Sequence, residues 1–424
     1  MGNLDYTQVL NKIENTRRFG NEPGVVVTAQ VIKVLREKGK QKRIIPYIHV
    51  AGTNGKGSVC AFFSSILKKE HMRVGTFVSP HLVDFEERIT VDGRMIPKED
   101  VTRLGNYLLD IDFGIGLTMF DYCLAMALLY FEEQQCDYMV IETGLGGRLD
   151  STNAIGTPQC AVITKIGYDH MAILGSDIAD IAAEKAGIIK ENSTVVVEQQ
   201  DKRAMQVIEQ EAQKKHARII TVEQSDIARC SDYALRLCGT FQWENAAAAE
   251  LAARYVLGKR YGGPEYEMQY DKTEPKREET DLNKRIKSAL EEAVWPGRME
   301  IVSKEPFLLV DGAHNSNGVD ALKESLMQMY PGEKFCFFMG VMADKDYDVM
   351  IREILPLSEE FYTVTPDSDR ALQASHLADF IRKEGVEATE LSGVDEIRKH
   401  LKRDTKNVAF GSLYFIGELK QHRI

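Results

Sequence analysis

The chain has no CxxC pair among its 424 residues. Its seven cysteines, Cys60, Cys123, Cys136, Cys160, Cys230, Cys238 and Cys336, are scattered and odd in number. That excludes paired-cysteine motifs and fits reduced, mostly buried thiols in a cytoplasmic protein. Long apolar runs are also missing. None approaches the roughly 18 residues a membrane helix needs, so no membrane partner is expected. The opening stretch, MGNLDYTQVLNKIENTRRFG, lacks an apolar signal core, so nothing points to export. Basic residues are outnumbered, 53 Lys and Arg against 64 Asp and Glu, giving a net charge of −11. This argues against nucleic acid as a partner, yet a local basic pocket for a small anion remains open. No repeat of solenoid period occurs.

What is present is a soluble globular composition, 44% hydrophobic and 28% charged, on a chain too long for one ordinary core. Apolar strand-like runs alternate with amphipathic segments. IIPYIHVAG, RVGTFVS, DYMVIET, CAVITKIG, STVVVEQ and RIITVE read as strands. SVCAFFSSILKKEHM, FDYCLAMALLYFEEQQ, DIADIAAEKAGIIK, a charged stretch near 201–217 and NAAAAELAARYVL read as helices. The rhythm predicts an α/β fold, a mostly parallel sheet with helices on both faces. The polar segment 262–281 reads as an exposed loop. After WPGR a second βα series begins, with FLLVDGA, FCFFMGV, EFYTVTP, VEATEL and NVAFGSLYFIG as strands. The domain boundary is therefore expected near Trp295, giving domains of residues 1–295 and 296–424.

GTNGKGS follows a strand and opens a helix. Its glycines let backbone N–H groups turn toward a phosphate, and the helix N-terminus adds partial positive charge. Lys56 reaches the outer phosphates, and a hydroxyl one turn into the helix suits Mg²⁺. The usual phosphate loop has Ser or Thr directly after the lysine; here Gly57 intervenes before Ser58. The rival reading, a glycine-rich turn, does not account for lysine, serine and both flanking elements together. Glu142 ends the strand of VIETGLGGRLDSTN, where nucleotide hydrolases and kinases place an acid that holds Mg²⁺ or its water. A dinucleotide fingerprint there fails, because Leu149 stands where the third glycine belongs. His170 and Lys185 do not rise above structural or surface roles on spacing alone, and histidine is an unusual Mg²⁺ ligand. Asp311, in LLVDGAHN, faces a ligand crevice or closes an Asx-type turn, and the spacing leaves both open.

These residues together resemble the folylpolyglutamate and dihydrofolate synthases, relatives of the Mur-type cell-wall ligases. HVAGTNGKGS, SPHLVDFEERI, ETGLGGRLDSTN, ITKIGYDHMAILG, EKAGIIK, NAAAA, WPGR, DGAHN, GVMADKD and GSLYFIGE occur in the family's order. The resemblance implies a P-loop ATPase domain and a smaller Rossmann-like C-terminal domain, with the active site in the cleft between. It implies that Thr53, Asn54, Gly55, Lys56, Gly57 and Ser58 hold ATP phosphates. Ser58, Ser79, Glu142 and His170 match magnesium ligands, for two expected Mg²⁺ sites. Lys185 matches a lysine carried as a carbamate. Asn245, Arg298 and Asp311 match nucleotide-binding positions, with His314 beside them. Arg88, Thr118, Phe120, Leu149, Asp150 and Ser151 match the folate or pteroate pocket. Catalysis is expected from Lys56, Glu142, His170, Lys185, Asp311 and His314.

The chemistry implied is ATP-dependent joining of L-glutamate to a reduced folate through an acyl phosphate. Use of dihydropteroate is the alternative, and an ATP-gated binding protein without ligase activity is the alternative of another class. A monomer is expected. The chain departs from the family in two places. Asp369 follows Ser368 where proline is usual, and Val25 to Val27 stand where many members carry leucine and arginine.

Overall fold

The structure is a computed structural model that describes residues 3–17, 20–262 and 281–424. The polar segment read as an exposed loop lies, apart from its two end residues, outside the described residues. The chain divides into two compact units. The first comprises Met1–His81, Phe85–Ala234 and Glu244–Ala293; the second comprises Leu82–Asp84, Leu235–Trp243 and Val294–Ile424.

The first unit is built on eight strands: β1 (Tyr47–Ala51), β2 (Val74–Phe77), β3 (Ile89–Val91), β4 (Arg94–Met95), β5 (Tyr138–Glu142), β6 (Cys160–Ile163), β7 (Thr194–Val197) and β8 (Arg218–Thr221). Their order is β4-β3-β2-β5-β1-β6-β7-β8. β1, β2, β5, β6 and β7 are buried along their whole length, as strands covered on both faces must be. This is why they read as continuous apolar runs rather than alternating ones. β1 is central, parallel to β5 and β6, with Val50 opposite Glu142.

The expectation of strands and helices in alternation holds for the stretches named above, but not at one edge. β2, β3 and β4 pair antiparallel. β3 and β4 are joined by Asp92 and Gly93, both at positive φ (54° and 77°), the Asp-Gly pair that a two-residue hairpin requires. Three further helices, Tyr6–Glu14, Gly24–Glu37 and Lys98–Leu109, lie outside the stretches that read as helices in the sequence. They pack on helix Met119–Glu133 in one apolar cluster with Val9, Val31, Leu104 and Phe131.

The second unit holds β9 (Glu300–Lys304), β10 (Phe307–Val310), β11 (Phe335–Met339), β12 (Ser358–Thr363), β13 (Ala388–Glu390) and β14 (Lys406–Phe410), ordered β13-β12-β11-β14-β10-β9. All neighbours are parallel except β9, which runs antiparallel to β10. The run NVAFGSLYFIG is not one strand. β14 stops at Phe410, Gly411 turns at φ 118°, and the Ser412 hydroxyl accepts from Tyr414 N–H to cap helix Leu413–Gln421.

Candidate active site

The carboxyl ends of β2, β5, β1 and β6 lie side by side, the edge at which open α/β sheets place ligands. The chain leaves β1 through residues 52–55 into helix Lys56–Lys69. A Cβ on Gly52 would stand 1.8 Å from Thr164 Oγ1, so only glycine fits there. The loop is pinned from the β6 side. Thr53 and Asn54 N–H groups donate to the Lys165 carbonyl at 2.9 and 3.2 Å, and Thr164 Oγ1 donates to Asn54 O at 2.6 Å. The Thr53 hydroxyl bridges Gly167, donating to its carbonyl and accepting from its N–H, both at 3.0 Å. The backbone donors of Thr53 and Asn54 therefore serve the loop itself. The N–H groups of Lys56, Gly57 and Ser58 open the helix without a carbonyl one turn back, the arrangement that accepts an anion, whereas Val59 N–H donates to Gly55 O at 2.9 Å. Asn245 Oδ1 packs against Gly55.

Lys56 Nζ donates to the carbonyls of Gly52 and Thr53 at 3.2 and 3.3 Å and lies 3.8 Å from Glu142 Oε1. The other Glu142 oxygen accepts from Ser79 N–H at 3.3 Å. Glu142 and Ser58 are buried. Lys185 is also buried, in the last turn of helix Ile178–Ala186, and Nζ donates to the Gly52 carbonyl at 2.8 Å. Burial, and then the Lys56 charge, lower its pKa from 10.5 to about 7. What presses that helix end into place is the GLGG turn. A Cβ on Gly147 would lie 2.8 Å from Glu184 O and 3.0 Å from Lys185 O. Arg148 N–H donates to Glu184 O at 2.7 Å, and its guanidinium pairs with the Glu184 carboxylate.

Thr118, Phe120, Leu149, Asp150 and Ser151, expected along the pterin pocket, meet in one place, but Thr118, Asp150 and Ser151 spend their polar groups inside the protein. Asp150 is buried; its Oδ2 accepts from Gly144 and Leu145 N–H at 3.0 and 2.9 Å, and its Oδ1 from Thr152 N–H at 3.0 Å and from the Thr152 hydroxyl. The Ser151 hydroxyl donates to Asp121 at 2.6 Å, and Asp121 also accepts from Thr118 N–H and Oγ1 at 2.8 and 2.6 Å. Phe120 packs against Phe77, ring centroids 5.4 Å apart, and against Gly144. Leu149 keeps 45% of its surface exposed, and Val26 keeps 48%. Val25 N–H donates to Leu149 O at 3.1 Å and brings the two together. Arg88 is buried and donates from Nε to His81 Nδ1 at 2.8 Å.

In the second unit Asp311 follows β10 and is buried. Its carboxylate accepts from Met299 N–H at 2.8 Å and Ala313 N–H at 2.7 Å, the latter an Asx-type turn. Burial raises its pKa, against the pull of the nearby Arg298 guanidinium. His314 Nδ1 lies 2.7 Å from the Gly312 carbonyl and donates to it. Arg370 places its guanidinium 5.7 Å from the Tyr414 ring centroid.

The Mur ligase middle domain family matches residues 50–253, and the Mur ligase glutamate ligase domain family matches residues 297–410. A dihydrofolate synthase/folylpolyglutamate synthase of Bacillus subtilis is 33% identical over 98% of both chains. The chain belongs to the folylpolyglutamate and dihydrofolate synthases of the Mur ligase family.

The folylpolyglutamate synthase of Lacticaseibacillus casei is 30% identical over 87% of both chains. Among solved structures, Mycobacterium tuberculosis folylpolyglutamate synthase complexed with ADP and AMPPCP is 26% identical, with a TM-score of 0.83 over 99% of this chain and 98% of that one. E. coli FolC in complex with DHPP and ADP is 25% identical, with a TM-score of 0.79 over 99% and 97%. Like the synthases it matches, this member of the family is an ATP-dependent ligase.

Within this synthase, the magnesium expectation meets a donor set of mixed quality. Ser58, Ser79 and Glu142 offer oxygen, which suits a hard cation. Glu142 already neutralises Lys56, the same charge partnership a metal-bound phosphate would enter. His170 stands at the head of the short helix Met171–Leu174, at φ 52°, with Nε2 4.0 Å from Asp169 Oδ1. Among the described residues no group of three or more His, Cys, Asp or Glu converges on a metal position. The oxygen donors fit Mg²⁺; the imidazole is the least suited member. Sequence reasoning missed His49 and Thr152, which underlie the Asp150 turn. The signal was a histidine inside an otherwise apolar strand.

Proposed function

We propose that the enzyme adds L-glutamate to the γ-carboxylate of a reduced folate. The observation that carries this is the convergence of Lys56, Glu142 and Lys185 on residues 52–55, a few ångströms apart, at the edge of the sheet. The same edge presents exposed apolar side chains at Val26 and Leu149, suited to one face of a flat heterocycle.

A folate carboxylate oxygen attacks the γ-phosphorus of ATP, and the bond from that phosphorus to the ADP oxygen breaks. The glutamate amine then attacks the acyl phosphate carbonyl, loses a proton, and the carbon–oxygen bond to phosphate breaks. Lys56 leaves its own loop carbonyls to meet the transferring phosphoryl group, and the first-turn N–H groups orient the phosphates. Magnesium, held by Ser58 and Glu142 with Ser79 alongside, would neutralise phosphate charge when bound. Asn245, Arg298, Asp311 and His314 are assigned to the nucleotide, Arg88, Thr118 and Phe120 to the pterin side. Lys185 acts as a carbamate: a buried amine with a pKa near 7 is free to take up CO₂ at neutral pH, and the product is an anion beside Lys56.

A second reading, use of dihydropteroate as well, is favoured by the double name of the Bacillus subtilis relative. A cytoplasmic monomer is proposed; six of the seven free cysteines are buried, and no described helix is long and apolar enough to cross a membrane. Tetrahydrofolate and dihydropteroate, each supplied with ATP and labelled glutamate, test both readings. Tetrahydrofolate should yield a product one glutamate longer; ATP turnover without that product would overturn the proposal.

A further inference from the structure

The loop after β5 is anchored from beneath by a buried chain of hydrogen bonds. His49 lies in β1, fully buried, and its Nε2 is 2.7 Å from Thr152 Oγ1. Thr152 is fully buried and donates its hydroxyl proton to Asp150. A hydroxyl has one proton, so Nε2 of His49 must be the donor in the other bond. Asp150 accepts four hydrogen bonds on its two oxygens, from Thr152 N–H and Oγ1 and from Gly144 and Leu145 N–H. Burial raises its pKa, and these four donors oppose that by favouring the carboxylate. Among the described residues, the buried His49 Nδ1 has no hydrogen-bond partner. A buried unsatisfied nitrogen is costly, and its retention in a strand of aliphatic residues asks for a role for the other nitrogen. Burial and the Lys190 charge push the imidazole down to about 3, which keeps the ring neutral.

We propose that His49 is a positioning residue: through Thr152 and Asp150 it ties the strand that carries the phosphate loop to the turn that presents Leu149 and Ser151. This assigns Asp150 a part in building the turn. The proposal rests on the reading that this turn contacts the pterin. Its consequence is selective. Loss of the relay acts first on the pterin side, because residues 52–55 keep their own bonds to Thr164 and Lys165 even if the Lys185 contact loosens.

The experiment compares His49→Leu, Thr152→Val, the double variant and Thr152→Ser in the full chain, with reduced folate and ATP titrated separately. His49→Leu and Thr152→Val should each raise KM for folate about tenfold, the effect of one lost buried hydrogen bond. KM for ATP should stay within about twofold, and the double variant should be no worse than either single one. Thr152→Ser, which keeps the hydroxyl, should resemble the wild type. Nitrogen-15 NMR should show His49 protonated at Nε2 alone. An unchanged folate KM in Thr152→Val, an equal rise in both KM values, additive single effects or an Nδ1–H tautomer would each overturn the relay. Leu149→Arg separates the two levels. If it raises folate KM while the relay variants do not, the pterin reading stands and the relay falls. If it too changes nothing, both fall.

Discussion

Lys56 and Lys185 donate to one acceptor, the carbonyl oxygen of Gly52, at 3.2 and 2.8 Å. Two ammonium groups on one carbonyl repel each other, and Lys56 has a carboxylate, Glu142, at 3.8 Å. The buried one yields: the Lys185 pKa falls from 10.5 to about 7.

Carbamate formation at Lys185 should follow that shift. Below pH 7 the amine is protonated and cannot take up CO₂; above it, uptake is open. At pH 8, CO₂-depleted buffer should lower ligase activity, and bicarbonate should restore it; at pH 6 bicarbonate should have little effect. A carbamate signal from ¹³CO₂ is the direct readout. Equal rates with and without CO₂, and no such signal, would sink the assignment.

The same shift has a sign in stability. Between pH 7 and 10.5 the folded chain binds fewer protons at Lys185 than the unfolded chain does, so its contribution to stability grows as pH rises through that window. Lys185→Met should flatten this part of the curve of melting temperature against pH. A slope unchanged in the variant would contradict the depressed value.

Removing the phosphate-side cation should stop chemistry without unfolding the protein. Lys56→Ala is expected to cut glutamate-dependent phosphate release by about 100- to 1000-fold. Near-UV circular dichroism should match the wild type. Normal turnover in this variant would refute the role given to the loop.

His49 should contribute an acid-sensitive component of stability. Its folded pKa of about 3 lies below the unfolded 6.5, so the contribution is full above 6.5 and declines as pH falls toward 3. His49→Phe should lose less melting temperature than the wild type between pH 7 and 5. An identical loss in both would show that the ring does not titrate this way.

Gly147→Ala places a methyl group against the Glu184 and Lys185 carbonyls. Overpacking against backbone is expected to cost about 1–3 kcal/mol, or roughly 2–4 °C of melting temperature per kcal/mol. Activity should fall further than stability explains, because the end of helix Ile178–Ala186 carries Lys185. A variant with wild-type melting temperature would show that the turn and helix separate freely.

Much of the architecture was legible because it is local. Continuous apolar runs such as YIHVA and YMVIE announced buried parallel strands, and the order of the motifs announced the family. The β3–β4 hairpin is legible too, in Asp92-Gly93 after the alternating Ile89-Thr90-Val91, but β4 is only two residues long. The Gly411 break inside NVAFGSLYFIG shows the opposite limit: a glycine in an apolar run marks a turn only once its φ is known.

The sequence by itself determined which segments become strands and helices, the ligase family, and the residue types at the phosphate loop. Tertiary structure alone decided which of those residues meet. Lys185 reaches Gly52 across 133 positions, and His49 reaches Thr152 across 103. Both contacts exist because β1 lies between β5 and β6. Strand order is fixed by the packing of the whole sheet, and no local spacing records it. Asp150, a polar residue beside a substrate motif, spends its carboxylate on N–H groups within six residues of it, a local turn that only the backbone conformation reveals.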